Sequence, residues 1–250
     1  ISQWFPPPFT PPSSLSNLQY GSSLCPEQNF RKTALIFLRK RCDEAESACS
    51  EDIGRMLQSD GWSVKYCGIG EIEKNLVLSE VQLYVQPGGN MDVDKLFRKL
   101  TDSDIASIRN FVSCGGRYLG ICLGAYLTGP KCLNLTEKSS PYSSKKGKYK
   151  PLLSEVIFEN QTRLIYTEEP PELGTQQDIP GKLKILSRYT KDQTVQILIR
   201  KYNNGRVCLM GGHPEAMENW GNKHAKVVDK MAWDIGCKTV RQLCDDNFVL

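Results

Sequence analysis

The ten residues from Gly115 to Gly124, Gly-Gly-Arg-Tyr-Leu-Gly-Ile-Cys-Leu-Gly, restrict the fold more than any other stretch of the chain. A short apolar run delivers one cysteine between two glycines, the pattern of a strand that turns sharply into a helix. Such a turn presses backbone against backbone, so Gly120 and Gly124 stand where a Cβ would collide. Cys122 then projects from the turn. A helix expected from Leu123 would aim its first amides at the sulfur, an arrangement that favours thiolate over thiol. Cysteine is among the most often buried residue types, so a core role is the bland alternative. The two glycines, and the partners that follow, favour a nucleophile.

A thiol nucleophile needs a base, and the chain offers only two histidines, His213 and His224. His213 follows the apolar run Arg206 to Met210 and two glycines, which places it at the C-terminal end of a strand, the edge where open parallel sheets build their sites. Glu215 lies two residues on, beyond Pro214, within reach of the imidazole to fix its tautomer. A third run, Val81 to Gln86, also ends in glycines, at Pro87-Gly88-Gly89. The amides of Gly88 and Gly89, with that of Leu123, are candidates for an oxyanion hole. Each signal alone arises by chance; their order, each following a strand, makes the combination specific.

These stretches, Tyr84 to Gly89, Gly115 to Leu127 and Gly211 to Glu215, resemble the class I glutamine amidotransferase-like superfamily, and within it the N-terminal domain of biotin-protein ligases, here as a free-standing domain. The resemblance implies a flavodoxin-like α/β fold, with Cys122 as nucleophile, His213 as base, Glu215 as orienter, and Gly88, Gly89 and Leu123 supplying oxyanion amides. One departure stands out. True glutamine amidotransferases usually carry a glutamine two residues after the second elbow glycine, where this chain has Tyr126.

The rest of the chain alternates strands and helices, as an α/β fold requires. Strands are expected at Thr33–Leu38, Ser63–Cys67, Val81–Val85 and Tyr118–Ile121. Helices are expected at Glu44–Gln58 and at Asp102–Cys114, the latter capped by Thr101. The C-terminal half reads as richer in antiparallel strands: Val156–Phe158, Arg163–Tyr166, Leu183–Tyr189, and a hairpin of Thr194–Tyr202 with Arg206–Met210 through Asn203-Asn204-Gly205. Helices at His224–Ile235 and Thr239–Asp245 close the domain. The expectation is a three-layer sandwich with a mostly parallel central sheet and added antiparallel strands. Residues 1–31, rich in proline and serine, read as an extended arm, and 32–250 as one domain. The polar stretch Lys131 to Pro151 reads as a flap beside the site.

Composition narrows the function. The net charge of +4 is small, and the one basic cluster, Lys145 to Lys150, lacks interleaved aromatics, so nucleic acid is not an expected partner. No apolar run approaches the ~20 residues of a membrane span. Ten cysteines without a Cys-x-x-Cys pair give no zinc template, and Ile121-Cys122 replaces the Lys-Ser or Lys-Thr of a phosphate loop. No metal or cofactor is expected. The chain opens on Ile1, consistent with a trimmed or mature chain, and carries the sequons Asn134-Leu135-Thr136 and Asn160-Gln161-Thr162. Together with the cysteines these favour a secretory or extracytoplasmic setting, with Cys42–Cys49 as an expected disulfide. Two functions remain open. One is a thiol-dependent hydrolase or transferase acting on a small amide or acyl substrate through a thioester. The other is a silent module that holds a small ligand or docks a partner protein.

Overall fold

In the computed structural model residues 32–38, 44–77, 80–89, 93–136, 151–175, 181–221 and 226–250 are described. The expected arm, the basic cluster, His224 and Cys42 all lie outside them. The described chain runs β1 (Thr33–Phe37), α1 (Glu44–Ser59), β2 (Ser63–Cys67), α2 (Ile72–Val77), β3 (Leu83–Gln86), α3 (Val93–Phe97), α4 (Asp102–Ser113), β4 (Arg117–Ile121) and α5 (Leu123–Tyr126). It continues through β5 (Leu152–Phe158), β6 (Gln161–Thr167), β7 (Leu183–Tyr189), β8 (Val195–Tyr202), β9 (Gly205–Met210) and α6 (Trp233–Cys244).

All nine strands join one sheet in the order β2-β1-β3-β4-β9-β8-β7-β5-β6. From β2 to β9 neighbours pair parallel, and from β9 to β6 they pair antiparallel. The protein is therefore α/β with a mixed sheet. β1, β3 and β4 are buried at every position, as parallel strands covered on both faces must be. Alternate residues feed two cores. Leu35, Phe37, Tyr84 and Tyr118 pack with Ile72 of α2, Leu96 of α3 and Ile108 of α4. Ala34, Ile36, Val85 and Leu119 pack with Ile53 and Met56 of α1 and with Ile235 and Val240 of α6.

Local chemistry explains several boundaries. Thr101 caps α4 by accepting from the Asp104 amide, and the Asp104 carboxylate returns a bond from the Thr101 amide, a capping box. That carboxylate, fully buried, also accepts from the amides of Gly70 and Ile72, tying the start of α2 to α4. The Asn203-Asn204 turn joins β8 to β9 as the hairpin pattern requires, with Asn203 at φ 49°. Arg117 and Arg206, first residues of the β4–β9 pairing, both donate to the Leu243 carbonyl, and Arg117 also pairs with Asp246.

Two expectations are corrected. The C-terminal segment forms one helix, α6, that runs through the position where the sequence reads as a break between two. Gly236 belongs inside it because a Cβ there would meet Met56 Sδ at 2.5 Å, so the residue serves close packing of α6 on α1. The start of the expected flap is core: Cys132, Leu133 and Leu135 are buried, and Arg109 donates to the carbonyls of Leu133 and Cys132. Residues 137–150 lie outside the described residues. The expected Cys42–Cys49 disulfide involves Cys42, outside the described residues; Cys49 is buried within α1, while Cys114, just after α4, is disulfide-bonded.

Candidate active site

Because β3, β4 and β9 run parallel, their C-terminal ends meet at one edge of the sheet. Pro87-Gly88-Gly89, Cys122-Leu123 and Gly211-Gly212-His213 leave from those ends in turn. The turn at Cys122 is tight. Its backbone adopts φ 49° and ψ −108°, a region that costs a non-glycine residue on the order of 1–3 kcal/mol. Its amide donates to the Met210 carbonyl at 2.9 Å, which fixes the turn to β9. A Cβ on Gly124 would lie 2.0 Å from the Gln86 carbonyl oxygen, and one on Gly120 would lie 2.6 Å from the Gly124 oxygen. Both glycines thus stand where backbones touch. The helix after the elbow, α5, is only four residues long, so the expected dipole on the sulfur is at most slight.

The expected residues converge. Gly88 lies against two of them at once: a Cβ added there would be 2.5 Å from His213 Cε1 and 3.4 Å from Cys122 Cβ. Gly89 faces Leu123, whose Cδ2 is 3.7 Å from the equivalent point. His213 Nδ1 donates to Glu215 Oε1 at 2.9 Å, leaving Nε2 as the nitrogen available to the sulfur. Both side chains are buried, and Glu215 Oε2 has no hydrogen-bond partner among the described residues. Burial alone would lower the His213 pKa. The Glu215 charge and the charge and hydrogen bond of Cys122 outweigh it, and the net shift is upward. Cys122 Sγ also donates to the Glu168 carbonyl at 3.6 Å, and the residue is only 7% exposed.

Comparison with known proteins bears on the same span of chain. Residues 41–140 match the family described as biotin-protein ligase, N terminal. The biotin-protein ligase N-terminal match takes in Gly88, Gly89, Cys122 and Leu123; His213 and Glu215 lie beyond it. A ThuA-like protein from Bacteroides uniformis ATCC 8492 superposes with a TM-score of 0.50 at 10% identity over 85% of this chain and 91% of its own. One from Parabacteroides merdae ATCC 43184 gives 0.50 at 13% identity over 85% and 87%. The exo-β-1,4-mannosidase Op5Man5 from Opitutaceae bacterium strain TAV5 gives 0.50 at 12% identity over 75% of this chain, which spans 32% of that enzyme. No curated protein matches the chain. The family match covers 100 of the 250 residues, and the structural likenesses, at 13% identity or less, show a shared fold.

Several residues around the site are not visible in the motifs. Tyr166, at the end of β6, accepts the His213 amide on its carbonyl at 2.8 Å. Its ring meets His213 at 5.9 Å and Trp220 at 5.7 Å between centroids, while Trp220 lies 5.3 Å from His213. Trp220 Nε1 donates to the buried Asp52 carboxylate of α1 at 2.8 Å, so α1 holds the indole against the imidazole. Burial raises the Asp52 pKa, with the nearby Glu215 charge adding and the bonds from Trp220 and Arg55 opposing. Burial, then the Glu215 and Cys122 charges, likewise pushes the Cys49 thiol up, which leaves it inert. No local pattern marks Asp52 or Trp220; only the pairing of β6 with the His213 segment and the packing of α1 bring them in.

Proposed function

We propose that the protein is a thiol-dependent hydrolase or transferase of a small amide or acyl substrate. Cys122 attacks the acyl carbon as thiolate, and the C–S bond forms. The C–N or C–O bond to the leaving group then breaks, with His213 delivering the proton it took from the thiol. Water or an amine next attacks the thioester, gives its proton to His213, and releases the thiolate. Glu215 holds the ring through Nδ1, and the amides of Gly88, Gly89 and Leu123 bind the oxyanion. The observation that carries this reading is the position of Gly88, whose missing Cβ leaves room for both the His213 ring and the Cys122 side chain. The two cores on either face support a flavodoxin-like three-layer arrangement, and a sheet that recruits strands from both ends of 32–250 supports one domain.

A second reading, a silent ligand-binding or regulatory module, is favoured by the Glu168 carbonyl lying on the sulfur. A panel of amides and acyl donors separates the two. The enzyme reading expects an acyl adduct by intact mass spectrometry in the wild type, mapped to Cys122 and absent in Cys122→Ala. Binding that persists equally in both proteins, with no adduct and no turnover, would leave the module.

A further inference from the structure

Glu215 holds the His213 ring at one nitrogen, Nδ1, and leaves Nε2 for the thiol. The torsion that turns a histidine ring is broad, so one bond at Nδ1 does not by itself fix the plane of the imidazole. Two further rings do. The centroids of His213, Trp220 and Tyr166 stand 5.3, 5.7 and 5.9 Å apart, close to an equilateral triangle, with Tyr166 and Trp220 edge to face at 88°. Tyr166 is placed by β6, and its carbonyl accepts the His213 amide. Trp220 has a looser seat. It ends a single 3₁₀ turn, Glu218–Trp220, and is half-buried; beside the turn lies an open cavity of about 500 Å³ lined by Arg55, Met217, Glu218, Asn219 and Asp229. The indole is tethered across this region by Asp52 of α1, whose Oδ2 accepts from Nε1 at 2.8 Å.

Asp52 is a costly choice of tether. Its side chain is buried within the helix, with Arg55 donating to the second carboxylate oxygen. Aspartate is a poor residue for a helix interior, and a buried ion pair is often no more stable than apolar side chains of like volume. If α1 needed only to pack against the turn, an aliphatic residue would serve. What the carboxylate adds is direction: it fixes one nitrogen of the indole, and so the plane of the ring that meets the imidazole. We propose that Asp52 is a positioning residue, holding the Trp220 indole so that the His213 ring keeps Nε2 on the Cys122 sulfur. This role rests on the reading of Cys122 as nucleophile and His213 as base.

Alkylation of Cys122 in the intact protein by iodoacetamide, followed by peptide mass spectrometry at pH 7 and at pH 10, tests the role. At pH 7 the sulfur depends on the imidazole to take its proton; at pH 10 an ordinary thiol ionises without it. Asp52→Ala should slow the reaction about tenfold at pH 7, the loss of one orienting hydrogen bond, and leave the rate at pH 10 unchanged. Trp220→Phe keeps a ring, loses the N–H, and should behave alike. The double variant should be no slower than either single one, because both remove the same link. Asp52→Asn retains an oxygen acceptor and should recover most of the rate. Slowing at both pH values would mean that access or the fold has changed, and an unchanged rate at pH 7 would mean that the indole positions nothing. Additive losses in the double variant would mean that the two residues act separately, and an Asn variant as slow as the Ala variant would mean that charge matters and not the tether. Each of these results overturns the proposal. If Asp52→Ala does not fold, as judged by its unfolding midpoint, Trp220→Phe decides by the same two rates. Wild-type Cys122 reacting at pH 7 no faster than the buried Cys208 would instead overturn the nucleophile reading itself.

Discussion

On one side of Cys122 the sheet is parallel, with every residue of β1, β3 and β4 buried and exposure confined to the edge strand β2; on the other it is antiparallel, with Leu152 and Leu164 exposed on the outer strands β5 and β6. The two sides contribute different things to the candidate site. The parallel side supplies main chain: the turn at Cys122 and the glycines at 88 and 89. The antiparallel side supplies a ring and a cover: Tyr166 and the carbonyl of Glu168. Main-chain groups are fixed by strand pairing and leave little room for change, whereas side chains on outer strands vary without disturbing the pairing. On the function proposed above, the chemistry would sit on the rigid half and the selection of substrate would fall to the adaptable one.

This contrast is tested most severely at Gly124. Gly124→Ala sets a Cβ 2.0 Å from the Gln86 carbonyl, and neither strand β3 nor the elbow can retreat. We expect a loss of about 3 kcal/mol or more, read as a large fall in the unfolding midpoint or as insoluble expression. A small loss would mean that the parallel half yields more readily than its burial implies. His213 provides a smaller effect that spans both halves. Its folded-state pKa lies above the ordinary 6.5, because the Glu215 and Cys122 charges outweigh burial. The stability this confers is therefore full below about pH 6.5 and lost as pH rises through the raised value. Unfolding free energy should decline above neutrality by up to about 1.4 kcal/mol per pH unit, the limit for one proton, and Glu215→Gln should flatten that slope. A slope unchanged in Glu215→Gln would detach the pair from stability. The smallest effect belongs to the edge: Leu164→Thr on β6, where the side chain is 42% exposed, should alter stability by no more than about 0.5 kcal/mol in denaturant unfolding.

The parallel half was also the more legible in the sequence. Short apolar runs ending in glycine announce β3, β4 and β9, and the strand ends place Gly88, Cys122 and His213 together without any knowledge of side-chain packing. Thr101 and the Asn203-Asn204-Gly205 turn are local signals and appear where the sequence puts them. What escaped was long-range. The break read between two C-terminal helices is a close contact of Gly236 with Met56, far away in the chain. Trp220 meets His213, held there by Asp52, only because α1 packs under that edge.

The pairing of β4 with β9 also governs when the thiol proposed here as nucleophile meets the base proposed for it. Ile121 and Met210 are neighbours in the sheet, but the entire meander of β5 to β8 separates them along the chain. A parallel pair closed across so long a loop forms late, since its closure entropy is met only after the intervening strands have docked. On a ribosome, Cys122 emerges well before the strand that brings His213 beside it. On the proposed reading the nascent chain carries Cys122 without its base through much of the second half of synthesis, and the pairing of β4 with β9 becomes the step at which that sulfur gains it.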